Sequence, residues 1–200
     1  MIRKLLSTKL PKFTIAPKMS DKHPNIPATA KVQLSSDALV ENWITLNRMS
    51  GSASAGAAIK ADAYGLGVSS VVKILQKAGC KDFFVANWQE ASEIEPIIAD
   101  DVNISVLNGV REVDLNYAKA SKAKPVLNSM EQARLWRNVS KPCDVMIETG
   151  MNRLGIEISD LDQLPANDLN IDIVMSHLAS ADEDCPQNQQ QLDQERPAGL

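Results

Sequence analysis

Ala55-Gly56-Ala57-Ala58-Ile59-Lys60-Ala61-Asp62-Ala63-Tyr64-Gly65-Leu66-Gly67-Val68 is the stretch from which the rest of the chain is read. A small, apolar run ends in a lysine. A tyrosine follows four residues later, and two glycines open what comes next. Ala55–Lys60 has the character of a short buried strand. Val68–Ala78 has that of a helix, with Val71, Val72, Leu75 and Ala78 at three- and four-residue spacing and Gly79 as its stop. A lysine at the mouth of a dry strand is poorly placed for stability. It is well placed to attack a carbonyl, because desolvation lowers its pKa and frees the amine.

Outward from this stretch, short apolar runs keep alternating with helical patterns. Strands are expected at Phe83–Asn87, Ile104–Leu107, Pro125–Leu127, Asp144–Ile147 and Ile171–Met175. Helices are expected at Gln89–Ile94 and Glu112–Ala120, with a weak helical turn at Leu161–Leu164. Asn108-Gly109 reads as a turn. Ser129-Met130-Glu131-Gln132 has the shape of a capping box that starts a further helix. Six short strands separated by helices imply parallel strands with helical crossovers. A doubly wound sheet and a β/α barrel both fit, and both place their sites at the C-terminal ends of the strands. A closed barrel has eight strands and about 250 residues. With about six strands in 200 residues, a barrel here is partial, and its edge strands are prone to associate.

Composition narrows the class. At 44% hydrophobic and 23% charged, the chain can form one sizeable core. No apolar run approaches the ~18 residues of a membrane span. A net charge of −4 argues against nucleic acid as a partner. Six basic side chains (Arg3, Lys4, Lys9, Lys12, Lys18, Lys22) and a single acid, Asp21, fall in the first 30 residues, together with Pro11, Pro17, Pro24 and Pro27. Residues 1–28 therefore read as a basic, disordered extension. Leu5-Leu6 is too short for a secretory core; an organelle transit peptide, or a true start at Met19, are the other readings of this segment. Cys80, Cys143 and Cys185 are far apart and form no CxxC pair, which points away from metal sites and disulfides and toward a reducing cytoplasm.

Three polar groups lie at strand ends. Lys60 alone reads as a surface lysine. With Tyr64 and the glycine-opened helix it also suits an amine that holds an aldehyde beside a phosphate site, the arrangement that pyridoxal phosphate requires. In Glu148-Thr149-Gly150-Met151-Asn152-Arg153-Leu154-Gly155-Ile156, Arg153 either pairs with an acid or grips a carboxylate or phenolate. In Ser176-His177-Leu178-Ala179-Ser180-Ala181-Asp182-Glu183, His177 is one of only two histidines and by itself reads as structural. The chain has no P-loop, dinucleotide fingerprint, serine nucleophile elbow or zinc-spaced histidine pair.

Taken in order, these three segments resemble the alanine racemase family, pyridoxal-phosphate enzymes with a racemase-like barrel. Lys60–Val68 is similar to the family's cofactor-lysine motif. Thr149–Gly155 is similar to its T-G-M-x-R-L-G motif, and Ser176–Glu183 to its S/T-H-x-A-x-A-D-E motif. Lys31-Val32-Gln33-Leu34 through Leu46 resembles the opening strand and first helix. The resemblance covers residues 29–194, the front part of a family member. It implies an α/β fold, a partial TIM-like (β/α)8 barrel with about six of eight strands present and the C-terminal β-domain absent. It leaves residues 195–200 as a tail foreign to the family.

By that resemblance, Lys60 is the Schiff-base lysine and one catalytic base. Tyr64 binds the phosphate of pyridoxal 5'-phosphate. Arg153 contacts the cofactor's phenolic oxygen and the substrate carboxylate, and His177 lies under the pyridine ring. The implied reaction interconverts L- and D-alanine and supplies D-alanine for peptidoglycan. The substrate is a small amino acid, with serine or a broader range as the alternative, and a full-length member is a homodimer. The family's second base is a tyrosine of the C-terminal domain, supplied by the partner subunit, whereas this chain holds only Tyr64 and Tyr117. Met146 replaces a lysine common in the family, and Glu148 its usual aspartate. The resemblance therefore implies little activity for this chain alone. A non-catalytic cofactor-binding barrel and a truncated, inactive product are the alternatives.

Overall fold

The computed structural model describes residues 13–14 and 32–195. Most of the basic segment 1–28, and nearly all of the segment 195–200, lie outside the described residues. Phe13–Thr14 (β1) pair antiparallel with Gln33–Leu34 (β2), so these two residues of the basic segment depart from the expected disorder. Helix α1, Ser36–Met49, starts where the Ser35 hydroxyl accepts the Ala38 N–H at 3.2 Å. It then grips the chain entering the sheet from both sides. Asn47 Oδ1 accepts the Ala55 N–H at 2.8 Å, and Trp43 Nε1 donates to the Ala55 carbonyl at 2.9 Å.

The sheet follows in chain order. Its strands are Ala57–Ala58 (β3), Asp82–Val85 (β4), Asn103–Val106 (β5), Lys124–Leu127 (β6), Pro142–Glu148 (β7) and Asn170–Met175 (β9). Each pairs in parallel with the one before it. A two-residue strand, Ile156–Glu157 (β8), lies parallel to the C-terminal end of β7. This order chooses between the two architectures left open by the sequence. A doubly wound sheet reverses direction at a switch point, whereas this one winds one way only, as a barrel does. β3 and β9 end the path and do not pair with each other among the described residues, so the barrel is open.

Helices cover the outer face. A turn, Lys60–Tyr64 (α2), leads into Val68–Ala78 (α3), followed by Trp88–Ile94 (α4), Leu115–Ala120 (α5) and Met130–Trp136 (α6). Phe83, Val85, Ile104, Val106 and Leu127 of the strands pack with Val72, Leu75, Ile94, Ala118 and Trp136 of the helices in one buried cluster. The inner face is polar near the strand starts. Ser105 Oγ donates to Asp144 Oδ2 at 2.7 Å, and Lys124 Nζ lies 2.7 Å from Asp144 Oδ1 and also pairs with Asp172. Burial pushes the Asp144 carboxyl up despite these partners. Burial opposes the Lys124 charge too, but its bonds to Asp144 and Asp172 outweigh that and raise its pKa.

Some sequence expectations change in detail. The expected Leu161–Leu164 turn is a 3-10 segment over Ile158–Gln163, and the expected helix Glu112–Ala120 splits into a 3-10 turn and α5. The strand expected at Ala55–Lys60 is only β3. Because β3 is an edge, Ala58 is exposed and Lys60 half-buried, so the strand before the lysine is not dry. No helix among the described residues is long and apolar enough to cross a membrane.

Candidate active site

Directly after β3 the backbone makes a turn of the wrong hand. Ala61, Asp62, Ala63 and Tyr64 have φ of 53°, 54°, 53° and 56°. For L-residues this conformation costs roughly 1–2 kcal/mol each, so it persists only where other contacts hold it. Those contacts are specific. The Glu90 carboxylate accepts the Ala61 N–H at 2.9 Å and the Ala86 N–H at 2.7 Å, tying the residue after Lys60 to the end of β4. Asp62 Oδ1 accepts the Val68 N–H at 2.7 Å, so the N-terminus of α3 is capped from within the turn. The Ala63 side chain is buried beneath it. The outcome is a fixed position for Lys60 at the sheet's C-terminal edge, with Tyr64 64% exposed.

The second element is the loop leaving β7. Glu148 folds its carboxylate back onto that loop, accepting the Gly150 N–H and, at 3.3 Å, the Arg153 N–H. Burial pushes this carboxyl up, but the backbone N–H groups of Asn152, Gly150, Arg153 and Met151 outweigh it and hold it below the ordinary range. Gly155 lets the loop return against β7. A Cβ there would lie 2.5 Å from the Glu148 nitrogen, at a φ of +133°, and this close approach permits β8. Met146 is buried on β7.

The third element is the loop leaving β9, which carries His177. Arg153 Nη2 lies 3.4 Å from His177 Nδ1. Partial burial, then the positive charges of Arg153 and Lys60, lower the His177 pKa. The imidazole is therefore neutral near pH 7, and Nδ1 can face the guanidinium with its lone pair. Arg153 and His177 are thus in contact, and the Lys60 charge reaches the same imidazole, while exposed Tyr64 is not drawn into the Arg153–His177 contact. Tyr117 is elsewhere: its hydroxyl donates to Glu95 Oε2 at 3.2 Å and its ring meets Trp88 edge-on.

Two contributors escape sequence reasoning. Glu90 follows the cap residue Asn87 by three, the spacing of a capping box, and that was the only available signal. Gln191 is buried in the polar helix Pro186–Glu195 (α7) and has no pattern to announce it. Among the described residues no group of carboxylate, thiol and imidazole side chains is suited to hold a metal ion.

A singly wound β/α sheet with an amine, a guanidinium and a neutral imidazole gathered at its strand ends defines a barrel-type protein with a site at the usual end of that fold. More specifically, the chain belongs to the alanine racemase family, whose N-terminal domain model matches residues 34–198. It is 38% identical over 171 residues to the alanine racemase of Cereibacter sphaeroides, covering 82% of this chain and 49% of that protein. It is 40% identical over 149 residues to that of Rickettsia bellii, covering 68% and 36%. Among solved structures it is similar to alanine racemase from Bartonella henselae, which carries covalently bound pyridoxal phosphate. The TM-score there is 0.77 and the identity 29%, over 82% of this chain and 51% of that one. The Corynebacterium glutamicum enzyme gives 0.71 and 26%, over 82% and 49%. The chain spans about half the length of the curated relatives it matches.

Proposed function

We propose that this chain is the cofactor-bearing part of a pyridoxal-phosphate-dependent racemase that interconverts L- and D-alanine. The observation that carries this reading is the contact of Arg153 with His177 at the strand ends of a singly wound sheet whose first strand leads into Lys60. The donor set fits the cofactor. A primary amine stands at a strand end, and a phenol stands free four residues on. An arginine is available for an anionic oxygen, and a neutral imidazole for the ring. When bound, pyridoxal phosphate supplies an electron sink that acidifies the hydrogen on the amino-acid α-carbon.

The chain's own residues divide the remaining work. Lys60 holds the cofactor and takes or returns a proton on one face of the α-carbon. Tyr64 offers its hydroxyl to the phosphate. Arg153, positioned by Glu148, orients the substrate carboxylate. His177 stays neutral and so adds no further positive charge beside Arg153. Among the described residues no tyrosine is left to serve as a base for the opposite face, because Tyr117 is bonded to Glu95 and Tyr64 is assigned to the phosphate. From the family resemblance we infer a C-terminal partner domain in a homodimer as its source and a small amino acid as substrate, and from the cysteines the cytoplasm as the compartment. The three free cysteines, two of them buried, suit that compartment.

Incubation with pyridoxal phosphate, borohydride reduction and peptide mapping test the reading. The label is expected on Lys60 and absent from Lys60→Ala. Racemisation of L-alanine by the 200-residue chain, followed by chiral chromatography, is expected to be negligible. Labelling spread over surface lysines would overturn the cofactor assignment. Lys60-dependent turnover by the isolated chain would overturn the need for an outside base.

A further inference from the structure

Helix α7 is an element that the proposed chemistry does not use. Its sequence, Pro186-Gln187-Asn188-Gln189-Gln190-Gln191-Leu192-Asp193-Gln194-Glu195, has no apolar face to bury. Yet Gln191 is only 1% exposed. A buried amide is retained where its donors and acceptor are satisfied, and here all three are. Gln191 Nε2 donates to Thr149 Oγ1 at 3.1 Å and to the His177 carbonyl at 3.0 Å, while Oε1 accepts the Ala179 N–H at 2.9 Å.

The place of these bonds gives them meaning. The β7–β9 ladder ends at the pair Met146–Met175. Beyond it the two strands diverge into the loops that carry Arg153 and His177. Gln191 stands where the ladder stops and offers the same donor and acceptor groups as a peptide unit. Asn188 ties α7 to the second of these loops by donating to the Ser180 and Glu183 carbonyls at 2.9 and 2.8 Å.

We infer that Gln191 is a positioning residue that clasps the Thr149–Arg153 loop to the His177–Ala181 loop and thereby sets the pairing of Arg153 with His177. The inference rests on the proposed reading of Arg153 and His177 as cofactor-facing groups. A residue that merely docked α7 would leave the electrostatics of His177 unchanged. A clasp would not, because part of the His177 pKa depression comes from Arg153 and Lys60.

The test is an NMR pH titration of the His177 ring in the full chain. In the wild type, His177 is expected to titrate below its ordinary value. In Gln191→Met the midpoint should rise by roughly half a unit or more. Thr149→Val, which removes one acceptor without changing any residue of α7, should shift it the same way by less. Exposed Gln190→Ala should not shift it. Binding of pyridoxal phosphate, read by borohydride trapping, should weaken about tenfold in Gln191→Met. An unchanged His177 midpoint in folded Gln191→Met overturns the clasp. If Gln191→Met fails to fold, an unchanged midpoint in Thr149→Val does so. A wild-type chain that takes no pyridoxal phosphate overturns the functional reading instead, and leaves the His177 comparison to decide on the clasp.

Discussion

The sheet from β4 to β6 and the crown of loops from Thr149 to Gln191 are held by different forces. In the first region, apolar side chains under helices α3 to α6 do most of the holding on the outer face, and the inner face adds the buried Ser105, Lys124 and Asp144 bonds. In the second, β9 alternates between half-buried and exposed residues, and only Val145, Ile147 and Ile156 form a buried apolar cluster. There the chain is held by side-chain carboxylates and amides bonded to backbone: Glu148 to its own loop, and Gln191 across two loops. Apolar burial is additive and tolerant of small shifts in position. Hydrogen bonds to backbone fix atoms to within tenths of an ångström. The stable half and the chemically arranged half of this chain are built accordingly.

The largest effect should come from the apolar half. Trp136 is fully buried under the sheet and is the largest such side chain. Trp136→Ala should cost about 3–5 kcal/mol, as a buried aromatic leaves a cavity that neighbours cannot fill. Equilibrium urea denaturation measures this, and a loss below about 1 kcal/mol would break the claim that this region carries the stability.

An intermediate effect belongs to the loop crown. The folded Glu148 carboxyl lies below its ordinary pKa, so its ionised form stabilises the folded loop. That contribution is full above the unfolded value of about 4.3 and is lost as pH falls through the lower, folded value. The amide resonances of Gly150 and Arg153 should therefore titrate with a midpoint below about 4.3. Glu148→Gln should abolish that titration and cost about 1–3 kcal/mol. A midpoint at or above the ordinary value would show that the backbone N–H groups do not dominate this carboxylate.

The same contrast explains what was legible in the sequence. Helix α3 matches its expected range, Val68–Ala78, because an apolar stripe and two glycine ends define it. The parallel α/β fold was legible for the same reason, since apolar periodicity reports burial. Ala55–Lys60 was read as too long and too dry, because alanines look alike in a centre strand and at an open edge. β8 leaves no trace in a pattern: it is two residues long and depends on the close approach of Gly155 to Glu148. The roles proposed for Lys60, Arg153 and His177 come only from the order of three motifs, not from periodicity. Gln191 was not legible at all, and Glu90 only as a capping-box residue, since a polar side chain that bonds to a distant backbone obeys no repeat.

The Ser129–Gln132 cap brings both kinds of holding into one turn and yields the smallest expected effect. The sequence pattern predicts reciprocal bonds within a capping box, and half of it forms: the Ser129 hydroxyl accepts the Gln132 N–H at 3.2 Å. The Gln132 side chain goes elsewhere. Its Oε1 accepts the Asn128 N–H at 2.8 Å, and its Nε2 donates to the Asn108 carbonyl at 3.1 Å, strapping the Asn108-Gly109 turn to α6. Gly109 permits this strap, because a Cβ there would lie 2.1 Å from Gln132 Oε1 and 2.7 Å from the Val126 carbonyl, at a φ of +72°. Gly109→Ala must displace the strap as well as strain the turn, whereas in a Gln132→Ala background only the strain and the Val126 contact remain. The two substitutions should therefore be coupled, with Gly109→Ala costing about 0.5–1.5 kcal/mol less in the double variant than alone. Strict additivity in a double-mutant cycle would mean that Gln132 acts only as a cap for α6, and that polar strapping of backbone does not extend from the loop crown into the apolar half.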